Sequence, residues 1–167
     1  MVDLERCPKT AGAFGINIKS ILAAMRAERV RRQVYQVTAV CHYSGPGGHG
    51  RVDRVDVLAA PSREEGLTLH VQIPRFTCQK VVVRGSPGRD RWDEDGPVTE
   101  EMDFAEALEN LTYEGIDITG HRGYESGVGA EGSFTLHVVE GDHRRVRLVH
   151  QDQMTVGEDL EYEFEIP

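Results

Sequence analysis

The chain has 167 residues, of which 39% are hydrophobic, and a formal net charge of −9, so we expect one domain over residues 1–167 with one hydrophobic core. It contains no run of about 18 apolar residues, and residues 1–10 are too polar for a signal peptide, which argues against a membrane span and favours a cytoplasmic location. The net acidity argues against nucleic acid as a partner.

A helix followed by a hairpin is expected in the first third of the chain. Four apolar residues at i, i+3, i+4 and i+7 predict a helix over 16–30, with Asn17 as its N-cap: Ile18, Ile21, Leu22 and Met25. Alternating residues from Gln33 to Tyr43 predict a strand. The segment 44–50 holds four glycines and a proline, so it should turn the chain into a second strand, 51–58.

The middle of the chain predicts two further strands and a second helix. Alternation over 67–73, ended by Pro74, and a valine-rich run over 77–84 are typical of a second hairpin. A long loop containing Trp92 should follow over 85–97. Thr99 could then cap a helix whose buried stripe is Phe104, Leu108 and Leu111.

The last part of the chain predicts a second glycine-rich loop and three strands. Five glycines occur in 120–132, and apolar alternation on either side of a turn at 140–142 predicts a third hairpin. In the final strand apolar residues alternate with acidic ones, so that one face is core and the other is carboxylate: Leu160, Tyr162, Phe164 and Ile166. The expected fold is therefore α+β, a single antiparallel sheet of about six or seven strands with two α-helices packed on one face.

Charge is divided unevenly along the chain. Residues 1–91 contain 15 Lys and Arg against 8 Asp and Glu, a net of +7, whereas residues 92–167 contain 4 against 20, a net of −16. The favoured explanation is that strands of the two halves pair in one sheet, so that opposite charges meet on its solvated face. The alternative is a bipolar binding surface.

Two glycine-rich loops carry a family resemblance. The first reads Gly47-Gly48-His49-Gly50 and precedes Asp53, and the second reads His121-Arg122-Gly123-Tyr124-Glu125, with Gly129 and Gly132 before Phe134. Apart from residues 59–97, the chain resembles an uncharacterised bacterial family of unknown function, in which the loops read Gly-Asp-Ser-Gly and His-Gly-Gly-Trp-Glu. The Asp-Ser pair of that first loop is absent here. The resemblance implies a protein that is encoded on a bacterial chromosome or a mobile element. It implies no activity that could be transferred to this chain.

The candidate site residues lie in these two loops. His121 and Glu125 could form an acid/base pair, although a His or Glu in a glycine loop also caps exposed backbone N–H groups, which is the favoured interpretation. The candidate binding residues are the remaining loop positions, Gly47, Gly48, His49, Gly50, Gly123, Tyr124, Gly129 and Gly132. No G-x-S-x-G nucleophile motif or P-loop signature accompanies them.

Neither a metal nor a cofactor is expected. The seven histidines show no HExxH or H-x-H spacing, and the three cysteines, Cys7, Cys41 and Cys78, form no CxxC pair. The first hypothesis is therefore a non-catalytic protein-interaction domain of a bacterial or mobile-element operon, with an unknown protein partner. The alternatives are a hydrolase that uses His121, Glu125 and His49, and a nucleic-acid-associated protein that uses the arginines of the first half.

Overall fold

The structure is a computed structural model that describes residues 10–44, 51–71, 77–81, 99–119, 130–141, 143–152, 160–164 and 166. Its helices are α1 (Thr10–Arg32) and α2 (Phe104–Ile118). Its strands are β1 (Gln36–Ser44), β2 (Arg51–Ala60), β3 (Leu69–His70), β4 (Thr77–Val81), β5 (Thr99–Asp103), β6 (Ala130–Val139), β7 (His143–Asp152) and β8 (Leu160–Phe164).

Six strands form one antiparallel sheet in the order β3-β2-β1-β6-β7-β8. Its two central strands are β1 and β6, and β1 pairs with β6 over its full length, from Gln36 opposite Val139 to Ser44 opposite Glu131. The first and last parts of the chain therefore share one sheet. The expected α+β fold is confirmed, and β4 and β5 form a separate two-stranded pair.

The core lies on one face of this sheet. Alternate residues of β1 point into it and are fully or almost fully buried, as the alternation predicts: Val37, Ala39, Cys41 and Tyr43. The four apolar residues that predict α1 are also fully buried against this face: Ile18, Ile21, Leu22 and Met25. Both helices contact the sheet and each other, and both also contact β4. The apolar arc of α1 is wide because the helix meets the sheet on one side and α2 with β4 on another.

The expected N-caps of both helices are wrong. α1 begins at Thr10, so Asn17 lies inside the helix, where it is fully buried and its Nδ2 donates to Glu114 of α2 at 3.3 Å. Thr99 belongs to β5, and α2 is capped by Asp103, whose Oδ1 accepts from the backbone N–H of Glu106 at 2.8 Å. Asn17 thus joins the two helices, and Thr99 begins a short strand, so neither residue is an N-cap.

The expected second hairpin is also wrong. β3 pairs with β2 through Leu58 and Ala59, whereas β4 pairs with β5, which lies just before α2. Alternation predicts that a segment is extended but not which strand it pairs with. The segments 67–73 and 77–84 were predicted to pair because they follow each other in the sequence. The predicted loop around Trp92 lies outside the described residues.

Three phenylalanines fix the edge strand β8 onto the core. Phe164 packs edge-on against Phe14 of α1 and Phe134 of β6, with ring centroids 5.2 and 5.8 Å apart. Gly115 of α2 makes room for this cluster, since a Cβ there would lie 3.1 Å from the ring of Phe134. Phe164 is 3% exposed, whereas Leu160 at the start of β8 is 37% exposed, so only the second half of the strand is anchored in the core.

Candidate functional site

The face of the sheet opposite the helices is the candidate site, and we call it the open face. Alternation in β1 points Gln36, Thr38, Val40 and His42 to this side, and the strand register places their partners beside them. Among the residues that the structure describes, both helices lie on the other side of the sheet. The open face comprises those four residues with Arg54, Asp56, Leu58, Ser133, Thr135, His137, Val139, His143, Arg145, Arg147, Val149, Glu161 and Glu163.

A hydrogen-bonded group of three side chains lies on the open face. The amide nitrogen of Gln36 donates to Oγ1 of Thr38 at 2.8 Å and approaches Nδ1 of His137 at 3.2 Å. Oγ1 of Thr38 lies 2.8 Å from the same ring nitrogen. Because the amide nitrogen of Gln36 can only donate, Nδ1 of His137 accepts from it, and the Thr38 hydroxyl accepts from Gln36 and donates to Nδ1. Nδ1 of His137 is therefore an acceptor, and the ring proton is on Nε2.

The environment of His137 keeps the ring neutral. Burial lowers the pKa of His137, and the positive charges of Arg145 and Arg147 lower it further. Arg145 is the direct register partner of His137 on β7, and Thr38 is its partner on β1. The row Thr38–His137–Arg145 crosses the middle of the sheet, and its members come from parts of the chain about 100 residues apart.

Ion pairs occupy the two sides of the open face. Arg145 donates to Glu163 through Nε at 2.9 Å, and Arg147 approaches Glu161 at 2.5 Å and lowers the pKa of that carboxyl. On β2, Arg54 pairs with Asp56 at 2.6 Å. Two carboxylates of β8 thus pair with two arginines of β7. These ion pairs join residues of the same half of the chain, whereas the register of β4 and β5 places Lys80 of the first half opposite Glu100 of the second.

Two shallow cavities give the open face opposite charge at its two ends. The first, about 520 Å³, lies at the β6–β7 turn and includes Arg144, Arg145 and Glu163; we call it the basic cavity. The second, about 370 Å³, lies at the other end and includes Asp53 and Glu131 without Lys or Arg; we call it the acidic cavity. The charges of the two cavities do not follow the division of charge along the chain, because Arg144 and Arg145 belong to the acidic second half and Asp53 belongs to the basic first half.

Gly132, a predicted binding residue, has a packing role on the core side of the sheet. It lies between Tyr43 of β1 and His150 of β7 in the strand register. The Tyr43 ring passes over it and reaches the fully buried His150, with Oη 2.6 Å from Nδ1. A Cβ at position 132 would lie 2.1 Å from the carbonyl oxygen of Val149 and 2.4 Å from the Tyr43 hydroxyl oxygen. Glycine is thus required here by close packing.

The other predicted site residues lie outside the described residues: His121, Glu125, Gly47, Gly48, His49, Gly50, Gly123, Tyr124 and Gly129. The strand residues that flank the two loops are described, and they are neighbours. Ser44, which precedes the first loop, is the register partner of both Arg51, which follows it, and Glu131, one residue into β6. Both loops therefore connect to the same end of the sheet, beside the acidic cavity.

Two kinds of chemistry find no support in the described part of the chain. No group of three or more His, Cys, Asp and Glu side chains there is arranged to hold a metal ion. The described thiol, Cys41, is fully buried, and burial raises its pKa to about 11, so it is not a nucleophile at neutral pH.

The sequence indicates the residues of the open face without indicating their arrangement. Gln36, Thr38 and His42 fall on the polar side of β1 by alternation, and His137 falls opposite Leu136 and Val138 in the same way. The adjacency of β1 and β6 brings them together. That pairing joins segments far apart in the chain, and no local pattern encodes it.

Comparison with known proteins shows the family to which the chain belongs. No helix within the described ranges has both the length and the apolar character needed to cross a membrane. Searches of curated proteins and of solved structures found no match to the chain. The sequence pattern of one family matches residues 14–164, including the stretch 59–97 that the loop motifs do not cover. The chain belongs to DUF6878, a family of unknown function.

Proposed function

We propose that the chain is a cytoplasmic, non-catalytic protein-interaction domain of a bacterial or mobile-element operon, which binds a protein partner through the open face. The proposal treats residues 1–167 as one domain. The observation that carries it is the one-sided placement of the described helices, which leaves a broad, ordered sheet face without a described element against it.

The composition of the open face suits a protein partner. Four aliphatic side chains are half-buried there and are not packed against the core cluster: Val40, Leu58, Val139 and Val149. Paired charges surround them, including Arg54–Asp56 and Arg147–Glu161. Apolar patches enclosed by polar groups are the usual anatomy of a protein interface. A small-molecule site would instead favour a deep apolar pocket.

A pull-down from the native host tests this proposal. The tagged chain should return a stoichiometric partner, and Arg147→Glu on the open face should reduce its recovery at least tenfold. Lys19→Glu is the matched control, because it also reverses one exposed basic residue but lies on α1, on the opposite side of the sheet. Equal loss with both variants, or no loss with Arg147→Glu, would contradict the open face as the binding surface.

A hydrolase is the second candidate, and one observation favours it. Ser44, which precedes the first glycine loop, is the register partner of Arg51, which follows that loop, and of Glu131, near the end of the second. The two segments that carry His49, His121 and Glu125 are therefore attached to the same end of the sheet. The wild-type chain should then cleave p-nitrophenyl esters or phosphates, and His121→Ala and Glu125→Ala should each reduce the rate at least about 100-fold. The absence of turnover by the wild type at enzyme concentrations near the substrate concentration would dismiss this candidate.

Nucleic-acid binding through the arginine-rich first half has less support. Arg31 and Arg32 at the end of α1 both pair with Glu28, and Arg54 pairs with Asp56. The two carboxylates offset two of these three positive charges, which leaves little charge for phosphate binding. A gel-shift titration at low salt should show no retarded complex, whereas a complex that dissociates as salt rises would overturn this conclusion.

A further inference from the structure

The basic cavity has a charge that suits a single anionic group. Its charged residues are Arg145 and Glu163, which pair with each other, and Arg144, which lines the cavity from the end of β7 although its register partner Val138 faces the core. Together they leave one net positive charge in a chain of net charge −9. The remaining lining residues are Gln36, His137, Val139 and His143. The cavity has a volume of about 520 Å³ and is accessible from solvent, so it has room for a side chain.

The wall of this cavity presents a fixed hydrogen-bond donor. Gln36 and Thr38 both direct hydrogen bonds at Nδ1 of His137, so Nε2 carries the proton and the ring cannot present an acceptor. Thr38 is 1% exposed, so its hydroxyl is shielded from water that would compete for the contact with His137. Of the two ring nitrogens, only Nε2–H is left to meet a ligand in the cavity that His137 lines.

Arg145 supplies a second, oriented donor group. Its Nε and one terminal nitrogen donate to the two carboxylate oxygens of Glu163, at 2.9 and 3.3 Å. This paired contact holds the guanidinium plane in place and leaves its other N–H groups for a ligand. Arg145 is also the register partner of His137, so the two donors lie side by side on β7 and β6.

We infer that the basic cavity binds a carboxylate group, contributed by an acidic segment of the partner protein. The carboxylate accepts from Nε2–H of His137 and from the guanidinium of Arg145. That the carboxylate belongs to a partner protein rests on the proposed function. That the cavity binds a carboxylate does not.

The charge balance selects a carboxylate over a phosphate. Glu163 already takes one carboxylate position on Arg145, and a second monoanion would bring the cavity to neutrality with Arg144. A phosphate with two negative charges would exceed that balance and meet the Glu163 carboxylate at close range.

The test uses histidine side-chain ¹⁵N NMR of the full chain with acetate and phosphate as probes, and with end-blocked tetraglutamate and tetraglutamine peptides. His137 should show the Nε2–H tautomer before any addition. Acetate and tetraglutamate should each shift its Nε2 resonance saturably, with tetraglutamate binding at least tenfold more tightly than tetraglutamine. Phosphate should bind more weakly than acetate.

Two arginine variants separate the cavity from general charge effects. Arg145→Leu should weaken tetraglutamate binding at least tenfold. Arg54→Leu is the matched control, because Arg54 also lies on the open face in an ion pair but on β2, outside the cavity, and it should change the affinity less than twofold. Thermal unfolding of both variants shows whether each is folded.

Three results would overturn the inference: an Nδ1–H tautomer, the absence of a saturable shift with acetate and tetraglutamate, or tighter binding of phosphate. They are distinct from failure of the proposed function. A captured partner that is sensitive to Arg147→Glu, with no carboxylate binding, removes this inference alone. Carboxylate binding without any partner removes the proposed function alone.

Discussion

The hydroxyl oxygen of Tyr43 lies 2.6 Å from Nδ1 of His150, so two polar groups 107 residues apart in the sequence meet inside the core. Their rings stack with centroids 5.8 Å apart, across the strand β6. The contact is possible because the intervening residue of β6 is Gly132, which has no side chain to separate them. Tyr43, Gly132 and His150 thus join three neighbouring strands at the end of the sheet where both glycine loops begin or end.

Gly132→Ala should destabilise the fold by about 3 kcal/mol, because the new Cβ collides with the Val149 carbonyl oxygen, which cannot rotate away. Urea unfolding measures this change in the free energy of unfolding. Gly66→Ala is the control, since a Cβ there meets no atom within 4 Å, and its effect should be below about 0.5 kcal/mol. Similar effects of the two substitutions would contradict the close packing at position 132.

Tyr43→Phe should lower the free energy of unfolding by about 1 to 3 kcal/mol, because it removes a hydrogen-bond partner from the fully buried His150. A double-mutant cycle with His150→Phe isolates the contact. The coupling free energy between the two positions should fall between about 0.5 and 3 kcal/mol. Strictly additive losses would show that the two side chains do not stabilise each other.

Tyr113→Phe should expose part of the edge of β2. The Tyr113 hydroxyl oxygen accepts from the backbone N–H of Val52 at 3.0 Å and lies 3.3 Å from Glu109, so it caps an edge amide. Amide hydrogen exchange at Val52 should accelerate, with a loss of about 1 kcal/mol in the free energy of unfolding. Exchange at Cys41, on the central strand β1, provides the internal reference. Unchanged exchange at Val52 would exclude the capping role.

The free energy of unfolding should decrease as the pH is lowered, because of the titration of His137. Burial and the charges of Arg145 and Arg147 lower the pKa of His137 in the fold, whereas the unfolded chain keeps the usual value of about 6.5. As the pH falls below that value the unfolded chain takes up the proton first, so the contribution of His137 is present above about pH 6.5 and is lost toward the lowered folded pKa. Protonation of Nδ1 would also break the contacts with Thr38 and Gln36.

Urea unfolding at several pH values measures this effect. His137→Asn should flatten the decline of the free energy of unfolding below about pH 6.5. His70→Asn, at an exposed position on the edge strand β3, should leave the decline as it is in the wild type. An equally steep decline in the wild type and in His137→Asn would show that His137 is not its source.

Local patterns predicted most of the elements, because each depends on near neighbours in the sequence. The spacing of Ile18, Ile21, Leu22 and Met25 was sufficient for α1, and alternation assigned the two faces of β1. The same patterns did not predict that β4 pairs with β5, or that α1 begins at Thr10 and includes Asn17 in its interior. Both features depend on contacts with distant segments. Tertiary contacts overrode the local signals at these places.

The candidate site was harder to predict than the fold. Glycine-rich loops were the most conspicuous sequence feature, but the described residues draw attention to Thr38 and His137, which are unremarkable in their local sequence. They meet because β1 and β6 are central neighbours. A short sequence motif cannot predict a strand pairing that joins residues 99 positions apart.

The central claim is that the open face is the surface to which the partner binds. Methyl cross-saturation NMR on the complex with the captured partner tests it most directly, because saturation passes only to methyl groups at the interface. The account predicts that Val40, Leu58 and Val149 receive it, while Ile16 and Val30, which are exposed on α1, do not. Saturation of the α1 methyl groups with none at Val40, Leu58 and Val149 would contradict the account.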